Sequence, residues 1–300
     1  MNARRALATV LLTATAATAT ESGRIAWYLN ADNDVAFHTD RWYTSGVRIY
    51  RSMPLKEPGT RLDVGIVQEL YTDNTNCPKC EAVDHPYAGR LLASLAYQVA
   101  RPDSLTTLGA DAGVLGPAAL GRQTQKLIHH FVTAPHDDWS HQLDNRLDAQ
   151  LVAVRSQRVL GSDESPVALV AHGGGVLGNV QAFAHAGAEV RVGRATSGLA
   201  PSMRFAATPP APVPGTAAGW SAFAGAGVRE IFRNELLTPN ADDPTPAPTR
   251  TRTVRRTALG LGWGGEWAAI GFAWVTESRE FKEQARPQRF GTLTLQLDFP

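Results

Sequence analysis

Hydrophobic residues in this chain recur at every second position rather than every third or fourth. The C-terminal segment shows this best: Leu293, Leu295, Leu297 and Phe299 alternate with Thr292, Thr294, Gln296 and Asp298, the period of a β-strand. A second such face has Ala182, Ala184, Ala186, Ala188 and Val190, backed by Gln181, His185, Glu189 and Arg191. Bulky Ile270, Phe272 and Trp274 oppose Ala269, Gly271 and Ala273, a taper that leaves small side chains on the more crowded face. Similar runs predict twelve strands, near 23–31, 43–52, 61–71, 87–100, 104–114, 147–159, 166–177, 179–192, 220–233, 253–263, 266–277 and 289–299. Trp263-Gly264-Gly265-Glu266 reads as a tight hairpin between two of them. Alternation alone leaves two architectures open. A soluble sandwich buries the apolar face, whereas a membrane barrel turns it to lipid and keeps the polar face in a wet lumen.

The N-terminal residues change that balance. Arg4 and Arg5, the apolar run from Ala6 to Ala16, and Ala17-Thr18-Ala19 have the order of an export signal with its cleavage site. Residues 1–19 are therefore expected to be a signal peptide, and 20–300 one exported domain. Later in the chain no uninterrupted apolar stretch approaches the length of a membrane helix. Basic and acidic residues nearly cancel, 29 against 28, which leaves no electrostatic footprint for nucleic acid. Cys77-Pro78-Lys79-Cys80 lacks a second ligand pair at metal spacing, and an exported chain favours a short-loop disulfide there. Export, diffuse alternation and an even strand count together indicate an all-β protein, a twelve-stranded antiparallel transmembrane β-barrel of the bacterial outer membrane. The Pro- and Ala-rich segment 193–219 would pass over or into its lumen.

Strand parity then places the loops. With the N-terminus periplasmic, the connections after the first, third and fifth strands are extracellular, and these hold Asn33 and Asp34, residues 77–86, and the long insertion 115–146. The insertion carries a helical pattern beginning at Gly116-Pro117, with Leu120, Leu127, Ile128 and Phe131 on one face. Gln125 and His129 lie one turn apart on the other. Laid against the rim, such a helix is expected to bury Leu127 and Phe131 and to offer His129 to whatever lies across.

Candidate chemistry concentrates on the same rim. The stretch Asp32-Asn33-Asp34-Val35-Ala36-Phe37-His38-Thr39-Asp40-Arg41-Trp42-Tyr43-Thr44-Ser45-Gly46 is rich in oxygen donors, suited to a hard cation or to polarising a carbonyl. It is followed in order by Asp84-His85-Pro86-Tyr87-Ala88-Gly89, Gly116-Pro117-Ala118-Ala119-Leu120-Gly121, Gln125-Lys126-Leu127-Ile128-His129 and Trp139-Ser140-His141-Gln142-Leu143. Over residues 30–145 this series resembles the lipid A 3'-O-deacylases, the LpxR family of outer-membrane proteins. The resemblance implies a barrel that hydrolyses the 3'-linked ester of lipid A in lipopolysaccharide and releases an acyloxyacyl group with a divalent cation, usually Ca²⁺. It also implies functional roles for Asn33, Asp34 and Thr44. Asp34 would bind the metal, Asn33 would orient or polarise the carbonyl, and Thr44 would hydrogen-bond within the cluster. His129 is the candidate general base, since imidazole titrates near working pH.

The chain departs from the family pattern twice. Pro135 stands where the family has an acid about six positions after the histidine, leaving Asp137 as the candidate replacement, and His85 stands where it usually has arginine. His38, His136, His141, His172 and His185 read as structural. Gly173-Gly174-Gly175 reads as a strand end, and the absence of Gly-x-Ser-x-Gly gives no support to an elbow serine hydrolase. The alternative is a non-catalytic barrel, either a small pore or a degenerate deacylase relative. An outer-membrane phospholipase would differ by acting on glycerophospholipid.

Overall fold

The computed structural model describes residues 24–34, 37, 39, 41–74, 83–131, 138–194, 198–205 and 219–299. The expected signal peptide, Cys77 and Cys80, and the Pro135 to Asp137 segment lie outside these residues, as does the side chain of Phe131.

Twelve antiparallel strands close into a barrel, each paired with its sequence neighbours and the first with the last. They are β1 (Ile25–Asn33), β2 (Trp42–Pro54), β3 (Thr60–Thr72), β4 (Ala88–Arg101), β5 (Ser104–Leu115), β6 (Arg146–Leu160), β7 (Val167–Gly178), β8 (Gln181–Gly193), β9 (Gly219–Asn234), β10 (Thr253–Gly264), β11 (Ala268–Glu277) and β12 (Gln288–Phe299). Every predicted strand is present with its ends within two residues, and Gly265 closes the predicted hairpin by donating its N–H to the Ala268 carbonyl. Gly173 to Gly175 are an exception to the expectation, because they lie well inside β7.

The alternation sorts side chains as a membrane wall requires. Leu293, Leu297 and Phe299 on β12 are exposed, while Thr292, Thr294 and Gln296 are buried facing the lumen. On β11, Ile270 and Trp274 face out and Ala269 and Ala273 face in. Exposed Trp27, Trp220, Trp263 and Trp267 gather near the end formed by the short turns, and Trp274 and Phe232 sit towards the other end. These are positions of interfacial aromatic girdles. No helix among the described residues is long and apolar enough to cross a membrane, so the strands do the crossing.

Part of the connection from β8 to β9 occupies the lumen: residues 198–205 lie among the inward-facing side chains. Glu189 accepts hydrogen bonds from the Ser202 and Met203 amides at 3.1 and 3.2 Å. Arg191 binds the Gly198 and Ala200 carbonyls, and Met203 and Phe205 join the apolar cluster of Phe183, Phe223 and Phe290. Of the two paths open to segment 193–219, its described part takes the one into the barrel. His172 and His185 are buried here, with His185 stacked on Phe205 at 4.9 Å.

The insertion between β5 and β6 contains the one α-helix of the described residues, α1 (Gly121–Phe131). It begins later than the pattern predicted. Pro117 to Ala119 form a 3-10 turn, and Leu120 adopts a left-handed conformation (φ 60°) before the helix starts. Leu127 is 61% exposed and Leu120 is exposed too, contrary to the expected burial of Leu127, because the packing of Gly121 and Gln125 against Trp139 turns the opposite face of the helix outward. Gly121 and Gln125 face the barrel instead, Ile128 and His129 are half-buried, and His130 is exposed.

Candidate functional site on the outer wall

The rim residues belong to the outside of the barrel. On β1, Asn30 and Asp32 are buried in the lumen, and Asn33 shares the outward face with Trp27 and Ala31. On β3 the outward series is Val64, Ile66, Gln68, Leu70 and Thr72. Ile66 is 61% exposed but Leu70 only 2%. The wall is therefore bare at mid-height and covered near the extracellular end. The cover is the insertion: Gln68 donates to the Ala119 carbonyl at 2.7 Å, and Leu70 packs with Tyr87 and Trp139. Helix α1 lies on the outer faces of β3 and β4.

Two glycines permit that approach. A Cβ on Gly121 would lie 2.8 Å from the Trp139 ring and 3.0 Å from Leu70, and a Cβ on Gly89 would lie 3.2 Å from the Gly121 backbone. Trp139 is pinned by its indole N–H, which donates to Gln125 Oε1 at 2.6 Å, and by edge contact with Tyr87. Gln125 thus sits on the helix face turned to the wall, and His129, one turn later, follows on the same side.

Asn33, Asp34 and Thr44 meet at the top of the β1–β2 ladder. Asn33 is the last residue of β1 rather than a loop residue and pairs with Ser45, while the Asp34 N–H donates to the Thr44 carbonyl at 3.2 Å. Thr44 occupies an irregularity in the β2–β3 register, between Tyr43 and Ser45. Bulges of this kind re-aim a side chain at a sheet edge. Its hydroxyl lies 2.7 Å from that of Thr72. Nearby Trp42 has φ 59°, a strained value for a bulky residue, and its indole N–H donates to Asp84 at 2.9 Å. The structure thus joins three of the four predicted residues at one corner, and places His129 on the helix covering the next strands along the same rim. Thr72 and Gln68 carried no signal in sequence; only the closed ladder brings them here.

Asp34 is 1% exposed, and its Oδ2 accepts from the Thr39 hydroxyl at 2.9 Å and the Arg41 amide at 3.1 Å. No cluster of three or more His, Cys, Asp or Glu occurs among the described residues. The donors at this corner are the Asp34 carboxylate with hydroxyl and carbonyl oxygens, and the Asp84 carboxylate stands beside them, bonded to Trp42. Such a set fits a hard cation like Ca²⁺ and does not fit a soft one. His85 closes the corner from the lumen side, stacked on Tyr71 at 5.2 Å with Nδ1 2.6 Å from the Pro86 carbonyl. Burial pushes its pKa down to about 4, against the opposing pull of the Pro86 carbonyl and Asp84.

A family model described as outer membrane protein LpxR matches residues 6–299. The chain belongs to the LpxR family. Among solved structures, LpxR from Salmonella typhimurium is similar with TM-score 0.79 at 22% identity, covering 91% of this chain and 99% of that one. Its fold is the same twelve-stranded outer-membrane barrel. More distant are the β domain of the Bordetella autotransporter BrkA (TM-score 0.44, 8% identity, 92% of this chain and 98% of that one) and the NanC porin (0.39, 6%, 92% and 99%). No curated protein sequence shows a significant match. Membership of this family places the protein in the bacterial outer membrane, as expected from the sequence.

Proposed function

We propose that this LpxR-family protein is a lipid A 3'-O-deacylase that works on the outer wall of its barrel. The observation that carries the reading is the outward parity of Asn33 on β1, together with helix α1, which bears His129, seated on the outer faces of β3 and β4 along the same rim. Polar groups on the lipid-facing side of a membrane barrel are costly unless they serve a lipid-borne substrate. An ester held in the outer leaflet reaches this corner by lateral movement, whereas a lumenal site would demand that the lipid enter the barrel.

The chemistry follows from the residues. His129 takes a proton from water as the water oxygen bonds to the ester carbonyl carbon. Asn33 donates through its side-chain amide to the carbonyl oxygen as negative charge develops there. Collapse of the tetrahedral centre breaks the bond to the sugar 3'-oxygen, which takes the proton back from the imidazolium. The products are a free 3'-hydroxyl and a carboxylic acid. Asp34, with oxygens of its neighbours including Thr44, would hold Ca²⁺, which supplies positive charge to the same oxyanion. Thr44 and Thr72 hold the β2 edge in register with Asn33.

The non-catalytic pore reading meets a lumen occupied by residues 198–205 and by a dense Arg–carboxylate network. The decisive experiment is a mass profile of lipid A from cells expressing the wild type or His129→Ala. Loss of the 3'-acyloxyacyl mass with the wild type alone supports the reading. Unchanged lipid A refutes it, and loss of glycerophospholipid chains instead would make the protein a phospholipase.

A further inference from the structure

The geometry points to Arg204 as a positioning residue for the outer-wall site, delivered through the lumen by the β8–β9 connection. This inference rests on the proposed deacylase reading for its catalytic consequence, but not for its structural one.

The argument starts at Asp32. This side chain is buried in the lumen, and both of its oxygens are saturated. Oδ1 accepts from Arg204 Nη2 at 2.7 Å and from the Thr292 hydroxyl at 2.8 Å. Oδ2 accepts from the Tyr43 hydroxyl at 2.7 Å and from Arg48 Nη1 at 2.7 Å. Asp32 immediately precedes Asn33, and Tyr43 immediately precedes Thr44. One carboxylate therefore ties together the inward-facing neighbours of two candidate site residues. Because successive side chains of a strand point to opposite faces, fixing Asp32 and Tyr43 inside the wall fixes the backbone that aims Asn33 and Thr44 outside it.

The tie extends along the wall. Arg48 Nη2 donates to Glu69 at 2.6 Å, Arg90 Nη1 donates to the other Glu69 oxygen at 2.9 Å, and Arg90 Nε donates to Asp148 at 2.7 Å. These residues stand on β2, β3, β4 and β6, and the outer faces of β3 and β4 carry helix α1. Arg204 is the member of this chain that does not come from the wall. Its position is set by residues 198–205, through Glu189 bound to Ser202 and through Arg256, which donates to the Arg204 carbonyl. Without the Arg204 guanidinium, a buried carboxylate would keep Arg48 as its one ionic partner. A buried charge stripped of a partner is relieved by movement of its backbone or by entry of water.

The test compares Arg204→Gln and Arg204→Lys with the wild type in the full-length, detergent-solubilised protein. Heat-modifiable gel mobility reports that the barrel is closed. Arg204→Gln is expected to lower kcat by roughly tenfold to a hundredfold with KM little changed, the range for an ångström-scale misplacement of reacting groups. Arg204→Lys, which keeps the charge, should recover most of that loss even if the Gln variant folds poorly. Asp32→Asn combined with Arg204→Gln should be no worse than Asp32→Asn alone, because Arg204 acts through that carboxylate. Hydrogen-exchange mass spectrometry provides a readout free of activity: amides of residues 31–46 should exchange faster in Arg204→Gln, while those of β11 stay protected. Wild-type kcat in Arg204→Gln, additive losses in the double variant, or unchanged exchange at 31–46 would overturn the inference. A wild-type protein inactive on lipid A would refute the proposed function instead, and the exchange result would still decide the role of Arg204.

Discussion

The seat of helix α1 allows a sharp test, because a single missing side chain creates it. Replacing Gly121 by Val introduces a Cβ 2.8 and 2.9 Å from the Trp139 ring and 3.0 Å from Leu70, and adds two further methyl groups. Ordinary contact begins near 3.4 Å, so each neighbour would have to yield by about half an ångström for the Cβ alone, and by about 1 Å for the whole side chain. Trp139 has little room to yield, since Gln125 and Tyr87 hold two of its edges. The helix itself is therefore expected to lift from the wall and carry His129 with it. Overpacking of this kind costs about 1–3 kcal/mol, which a closed barrel survives. Misplacing the base by an ångström costs about a hundredfold in rate. The assay is the initial rate of fatty-acyl release from lipid A in mixed micelles, with gel mobility as the check on folding. Arg122→Ala, on the exposed side of the helix next in sequence, should leave the rate near wild type. Wild-type turnover in Gly121→Val would refute the reasoning, as would an equal loss in Arg122→Ala.

Three further outcomes are expected. Asp34→Ala should abolish the dependence of activity on Ca²⁺, checked by titration against chelator, whereas His129→Ala should cut turnover by roughly 10²–10⁴ and leave Ca²⁺ binding by calorimetry largely intact. His85, whose pKa is held near 4 by burial, should destabilise the protein in acid. A neutral folded histidine must compete with an unfolded one that protonates near 6.5, so stability is full above that pH and falls by about 3 kcal/mol as pH drops towards 4. Denaturant midpoints in detergent across that range should fall less steeply in His85→Phe than in the wild type. In planar bilayers the protein should conduct no steady current, because residues 198–205 and the ion-pair network occupy the lumen; a stable open pore would restore the channel reading.

The strands were legible because their cause is local. Each wall residue meets either lipid or lumen, so Leu293 and Leu295 had to alternate with Thr292 and Thr294 whatever the rest of the chain did. Parity carried the reading further, to the common rim of Asn33, Asp34, Thr44 and the long insertion. On helix α1, His129 is half-buried and His130 exposed. The helix face was misjudged for a physical reason. Apolar spacing does not say which face meets the wall: Gly121 and Gln125 pack against Trp139, and the lipid-side position makes exposed Leu120 and Leu127 acceptable where water would have favoured their burial.

By itself, then, the sequence determined the barrel, its strand count, its membrane and the family to which its motifs belong, since alternation and ordered motifs are written residue by residue. Tertiary structure decided on which side of the wall the candidate residues lie and what holds them there. Asn33 faces outward through the register of a single residue, Thr44 is aimed by a local irregularity between β2 and β3, and Arg204 reaches Asp32 across 172 positions of chain. Those facts depend on closure of the sheet and on a segment folding back through it. Contacts between residues far apart in sequence leave no periodic trace for a linear reading to find.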